Sequence, residues 1–211
     1  MNNAEQLLKQ LLDILDRDGT SNGIPVGISN RHIHLSQEDI ERLFGVGYQL
    51  TKMKDLKQPG QYAAKETVTI AGPKGSFTNV RVLGPARQSS QIEISKSDNF
   101  VLGIKAPVRE SGDIANSAGL TAVGPKGAVN MESKVIVAKR HIHMTPADAI
   151  RFDVQDKEVV WIKTSGERVA NLGDVIIRVD EQFSLECHLD MDEANAVSIE
   201  NGDRVEIYRP S

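Results

Sequence analysis

Four of the five histidines in this chain stand in one phrase written twice, Arg31-His32-Ile33-His34 and Arg140-His141-Ile142-His143. The copies are 109 positions apart (141 − 32). Both follow a run rich in β-branched residues, 24–29 and 134–139. A helix-start signal comes after each, Ser36 with Asp39 and Thr145 with Asp148. On a strand, residues i and i+2 share a face and lie roughly 6.6 Å apart at about 3.3 Å per residue. Two imidazoles so placed can converge on one ion at about 2.0–2.1 Å, the distance of a zinc–nitrogen bond. Arg31, Ile33, Arg140 and Ile142 then face the other way. A single His-x-His is as readily a pair of strand histidines with ordinary hydrogen bonds. Two in matched context point to a metal site built on an internal duplication.

Two ligands leave an ion under-coordinated, so each half needs a third. Laying residues 80–98 over 175–193 sets Glu93 opposite His188 (188 − 93 = 95), each in the middle of an expected strand. The expected sites are therefore His32, His34 and Glu93 in one half and His141, His143 and His188 in the other. Three protein ligands with an open position are the pattern of a catalytic metal rather than a structural one. Nitrogen-rich ligation makes zinc the default, two per chain, with Mn, Fe, Co and Ni also compatible. Glu93 taken alone would be an ordinary solvated strand carboxylate; the pseudo-symmetry is what raises it. Arg87, upstream in a turn-rich segment, suits a bidentate oxyanion such as phosphate. Cys187 lies opposite in pleat to His188 and reads as a small core residue. Lys52, Lys54 and Lys57 read as a solvated face.

The elements that must position these side chains are mostly short strands. Apolar runs cut by Gly and Pro mark strands at 24–29, 67–70, 79–83, 91–94 and 100–104 in the first half. Those at 158–162, 174–179, 184–189 and 204–208 fall in the second. Ser36 and Thr145 cap the helix after each histidine phrase, with Pro146 suited to the first helical position. Gly72-Pro-Lys-Gly75 and Gly124-Pro-Lys-Gly127 read as turns rather than phosphate cradles, since neither opens a helix. Many short strands favour closed barrels or sandwiches. The expected fold is mostly β, two pseudo-symmetric small β-barrels, each with one short capping helix.

Residues 4–17 add an amphipathic helix with a stripe of Ala4, Leu7, Leu8, Leu11, Leu12 and Leu15. Isolated helices of about 12–15 residues are marginal, so the stripe must dock. It could dock on its own domain, on its copy in a dimer, or on another protein. A polar string, 18–23, links it to the rest.

At 211 residues the chain can bury a sizeable core, and with 4 % aromatics that core must be aliphatic. A net charge of −4 argues against general nucleic-acid binding, though not against a small anion on a local basic patch. One cysteine allows no intrachain disulfide and fits a reducing compartment. No signal peptide or membrane span is legible, which points to a cytoplasmic protein.

Several phrases resemble the PduL-type phosphotransacylases, the phosphate propanoyltransferases of bacterial microcompartments. They are Pro25-Val-Gly-Ile-Ser-Asn-Arg-His-Ile-His-Leu-Ser36, Leu56-Lys-Gln-Pro-Gly-Gln-Tyr-Ala-Ala64, Leu83-Gly-Pro-Ala-Arg87, Gln91-Ile-Glu-Ile-Ser95, Val135-Ile-Val-Ala-Lys-Arg-His-Ile-His-Met144 and His188-Leu-Asp-Met-Asp-Glu-Ala-Asn195. The resemblance spans roughly residues 24–208, with no departure at the six ligand positions or at Arg87. It implies two barrels with the first strand crossing into the second. The divisions are residues 1–20 as helix and linker, 31–139 as one barrel, and 21–30 with 140–211 as the other. It implies two zinc ions, CoA as substrate or product, and exchange of a short acyl group, propanoyl foremost, between CoA and phosphate. Arg87 contacts phosphate, and Ser29, Arg109 and Ser111 become pocket positions. Residues 4–17 resemble the peptide that docks such enzymes to microcompartment shell or core partners. A homodimer and a location inside a microcompartment follow.

No Ser-His-Asp constellation or reactive cysteine is visible, so the expected mechanism is direct attack by phosphate without an acyl-enzyme. Three other readings fit parts of the text. His32-x-His34 with Glu38 echoes a cupin oxygenase or isomerase holding one metal. A non-catalytic scaffold could use its metals structurally, and a hydrolase could use the same metals without phosphate.

Overall fold

The computed structural model describes residues 23–209, and the helix expected at 4–17 lies outside them. The strands in chain order are β1 (Ile24–Ser29), β2 (His32–Ser36), β3 (Lys52–Asp55), β4 (Tyr62–Ala71), β5 (Ser76–Arg87), β6 (Gln91–Glu93) and β7 (Val108–Arg109). They continue as β8 (Ala118–Val123), β9 (Ala128–Ala138), β10 (His141–Met144), β11 (Val159–Lys163), β12 (Asn171–Val179), β13 (Glu186–Asp190) and β14 (Arg204–Tyr208). The helices are α1 (Gln37–Phe44), α2 (Asp98–Leu102), α3 (Pro146–Phe152) and α4 (Met191–Val197). Two compact units divide the described residues, Ser29–Lys139 and the stretch 23–28 with 140–209.

In the 29–139 unit, β4, β5, β2, β6, β9 and β8 pair in that order, and β8 closes the ring by returning to β4. Closure removes free edges, the usual aggregation hazard of a sheet. Off the ring, β3 pairs with β4 and β7 with β9. The lysine run at 52–57 thus begins in a strand, fully exposed and charged, which blunts the edge it forms. Ile33, Leu35, Val68, Val82, Ile92, Leu120 and Val135 fill the barrel. Each such side chain fully buried stabilises the fold by roughly 1.5–3 kcal/mol relative to exposure.

The other unit closes a six-strand barrel in the order β1, β13, β10, β12, β11, β14. Its core is separate, with Ile24, Val26, Ile142, Met144, Ile162, Val175, Ile177, Leu189 and Val205. Around the histidine strands the two barrels are wired alike. β2 runs parallel to β5 and antiparallel to β6, while β10 runs parallel to β12 and antiparallel to β13.

Both helix-start readings hold. Ser36 accepts a hydrogen bond from the Asp39 amide, and Thr145 and Asp148 form a capping box with Pro146 at the start of α3. The strand expected at Phe100–Ile104 is instead α2 and its cap. Asp98–Leu102 is helical and stops where Gly103 takes a left-handed φ of 72° and donates to the Asn99 carbonyl. A short apolar run does not announce its own period. Here Phe100 is 82 % exposed while Leu102 is fully buried, and neither fits a strand with alternating faces in this barrel.

The two Gly-Pro-Lys-Gly turns share one structural use. The first closes the β4–β5 hairpin and the second the β8–β9 hairpin, through Gly72–Gly75 and Gly124–Gly127 backbone bonds. Lys74 N–H donates to the Leu102 carbonyl at the end of α2, and Lys126 N–H donates to the Leu43 carbonyl at the end of α1. Each turn therefore caps the otherwise unsatisfied carbonyls of a helix C-terminus. A Cβ at Gly124 would lie 2.5 Å from Leu43 O, so the helix end approaches closely only because glycine stands there.

Candidate metal centres

β2 and β10 are buried on both faces, with histidines on one and aliphatic residues on the other. Ile33 and Leu35 enter one core, Ile142 and Met144 the other, and all four are fully buried. That packing fixes the strands, and the pleat then sets His32 beside His34 and His141 beside His143. The third donors arrive by register. His32 stands opposite Glu93 across the β2–β6 pair, and His141 stands opposite His188 across β10–β13.

The donor atoms of His32, His34 and Glu93 lie within 4.8 Å of one another, as do those of His141, His143 and His188. His32 Nδ1 donates to the Asn30 carbonyl at 2.9 Å, which turns Nε2 toward Glu93, 3.5 Å from its Oε2. The other carboxylate oxygen of Glu93 accepts from Gln91 Nε2 at 2.6 Å and from Ser111 Oγ at 2.9 Å. One oxygen is thus tied down and the other faces the histidines, the division of labour expected of a ligating carboxylate. His34 buries an Nδ1 that makes no hydrogen bond within the protein. A buried, unsatisfied ring nitrogen costs stability unless another partner completes it. Burial above all, with the neighbouring His32 ring and the Arg87 guanidinium adding to it, holds the His34 imidazole well below the usual histidine range. It is therefore neutral, as a ligand must be. These donors fit a divalent metal.

In the second cluster the three rings lie 4.7–4.9 Å apart, centroid to centroid. His188 Nε2 is 2.8 Å from Glu186 Oε2, and the Phe183 ring packs 4.3 Å from His143.

Arg87 ends β5 in register with Ser36, two residues past His34 on β2. In the 95-residue overlay Gln182 falls at its position (87 + 95). Ser111 reaches the site by gripping Glu93 and Gln91. Arg109 is on β7, half-exposed, and pairs with Asp113 at 2.8 Å. Ser29 is the last residue of β1. Cys187 is fully buried opposite Ile142, and burial raises its thiol far above the usual range. The cupin-like Glu38 lies on α1 with its side chain 72 % exposed and paired with Arg42, not beside His32 and His34.

Sequence reasoning missed the ion pairs made by the arginines just before the two histidine strands. Arg31 donates two hydrogen bonds to Asp98, at 2.8 and 3.0 Å, and stacks 4.1 Å from the Phe77 ring. Arg140 bonds Glu193 at 2.7 Å. The two arginines are 109 apart and the two acids 95 apart, the same offsets that relate the ligands. That arithmetic was legible; what it meant was not.

A family model described as phosphate propanoyltransferase matches residues 25–200. A protein of Thermotoga maritima named phosphate propanoyltransferase is 58 % identical over 88 % of this chain and 89 % of its own. One of Rhodobacter capsulatus, similarly named, is 51 % identical over 97 % of this chain and 96 % of its own. A third, from Clostridioides difficile, is 48 % identical over 97 % and 99 %. With the family model covering most of both barrels and such relatives aligned nearly end to end, the chain belongs to the phosphate propanoyltransferase family.

Proposed function

We propose that this protein exchanges a propanoyl group between CoA and phosphate. A phosphate oxygen attacks the thioester carbonyl, the C–S bond breaks, and propanoyl phosphate and the CoA thiolate result. One observation supports the reading beyond family membership: Arg87 ends β5 in register with Ser36, two residues past His34, which with His32 and Glu93 forms a cluster of converging donor atoms.

His32, His34 and Glu93 would hold one zinc ion and His141, His143 and His188 a second. Bound metal would polarise a thioester carbonyl and stabilise a leaving thiolate. Arg87 receives the phosphate through its forked N–H donors and offsets negative charge as the tetrahedral centre forms. The Gln91–Ser111 grip keeps the Glu93 carboxylate aimed at His32. Cys187, buried with its thiol protonated, supplies no nucleophile, which supports direct attack by phosphate. Ser29 and Arg109 complete the acyl-CoA pocket in this reading. The internal duplication belongs to it as well, supported by the shared wiring of the two barrels.

No helix among the described residues is long and apolar enough to cross a membrane. Residues 4–17, with their leucine stripe, would dock the enzyme to microcompartment shell or core proteins, and the enzyme would work there as a homodimer.

The test is thiol release from propanoyl-CoA, with and without phosphate, before and after chelation. Phosphate-dependent release that a chelator abolishes and zinc restores is expected. Release without phosphate would make the protein a hydrolase, and no release from metal-loaded protein would favour the scaffold reading.

A further inference from the structure

The two donor clusters place their negative charge differently. In the first, the carboxylate is the third donor, Glu93, and the residue two positions earlier on β6 is the neutral Gln91. In the second, the third donor is His188, and the residue two positions earlier on β13 is Glu186. One offset relates both pairs (186 − 91 and 188 − 93, each 95). The registers agree, since Gln91 stands opposite His34 and Glu186 opposite His143. The first donor group thus includes its carboxylate, while the second is three histidines with a carboxylate beside it, two residues earlier on the strand.

Glu186 is deeply placed, 9 % exposed, and its Oε2 lies 2.8 Å from His188 Nε2. β1 crosses over it with a glycine: a Cβ at Gly27 would come within 2.7 Å of the Glu186 carboxyl carbon and Oε1. A carboxylate seated beside three imidazoles, with a glycine making room for it, is placed to offset the charge of a cation that they hold. Three neutral histidines alone would leave a divalent ion with its whole charge in a buried site. An adjacent carboxylate offsets that charge and fixes the ring it touches.

We propose that Glu186 is the carboxylate of the second metal centre, a positioning residue that orients His188 and supplies the charge that Glu93 gives the first. The proposal rests on the reading of His141, His143 and His188 as metal ligands. It requires no particular catalytic step. Gln91, by contrast, uses its amide to hold a carboxylate that is already a ligand.

The experiment is zinc content of the full chain after equilibration with graded chelator, for wild type, His188→Ala, Glu186→Gln and Glu186→Asp. Wild type holding two ions where His188→Ala holds one establishes the underlying metal reading, and its failure there would overturn that reading separately. Glu186→Gln is expected to keep the first ion at wild-type affinity and to bind the second about ten- to a hundredfold more weakly. Glu186→Asp, which keeps the charge but withdraws it by one methylene, is expected to weaken the second ion too, and carries the test should Glu186→Gln not fold. A second ion held as tightly as in wild type by either folded variant would overturn the proposal.

Discussion

Arg31 holds Asp98 through two hydrogen bonds, joining the residue just before β2 to the first turn of α2. Asp98 is 3 % exposed, so removing Arg31 takes the cation from a buried carboxylate that also accepts from the Ser95 amide. Arg140 and Glu193 repeat the arrangement between β10 and α4. Arg31→Ala should destabilise the metal-free protein by about 2–3 kcal/mol, discounted because the arginine is partly solvated. Thermal unfolding measures this. An unchanged melting temperature would mean the pair contributes nothing.

Ligand removal should be local. Glu93→Gln or His34→Ala should lower zinc content by one equivalent and leave the other, and His143→Ala should do the same for the second cluster. Elemental analysis of purified variants distinguishes this from joint loss, which would show that the clusters depend on one another.

Arg87→Lys keeps the charge but loses the fork. Its kcat/KM for phosphate should fall by about 10²–10³, the scale of losing a transition-state donor, with the KM for the thioester nearly unchanged. Steady-state kinetics with phosphate varied at saturating propanoyl-CoA decides it. Wild-type dependence on phosphate in the variant would remove Arg87 from the reaction.

Gly124→Ala forces a methyl group against Leu43 O, backbone that cannot turn aside. A loss of about 1–3 kcal/mol is expected from overpacking. Lys126→Ala, which keeps the capping N–H, should cost little. Denaturant unfolding of the two variants separates the glycine's role from the lysine's.

Glu66 gives a pH dependence away from the metal sites. Burial alone would raise its carboxyl, but hydrogen bonds from Tyr48 Oη at 2.8 Å and from the Thr51 amide outweigh it and hold the group below its ordinary value. A folded-state value below the unfolded one stabilises above the unfolded value and fades as pH falls through the folded one. Glu66→Gln should therefore be less stable than wild type at neutral pH, the gap closing in acid. A gap constant across that range would contradict the assignment.

The residue pattern by itself made the β-barrel class of the fold legible, and it marked which side chains would share a face. His32, His34, His141 and His143 declared themselves because a strand's period of two is local, and each pair needs only its own three residues to share a face. Helix caps at Ser36 and Thr145 were legible for the same reason, since the capping side chain and the amide it satisfies are three residues apart. Glu93 and His188 needed the overlay of one half on the other.

Only the tertiary structure decided what lies between distant segments. The edge strand at 52–55, with no apolar face, is made a strand by pairing with β4. The run at 100–104 becomes helix and cap because barrel packing and the Gly72–Gly75 turn, almost thirty residues upstream, outweigh its β-like composition. Gln91 and Glu186 came beside the clusters through register, and the bond from Ser111 to Glu93 through loop placement; these depend on how whole strands align. A side chain's type is written in the sequence, but its neighbours across a sheet are set by the packing of both faces at once.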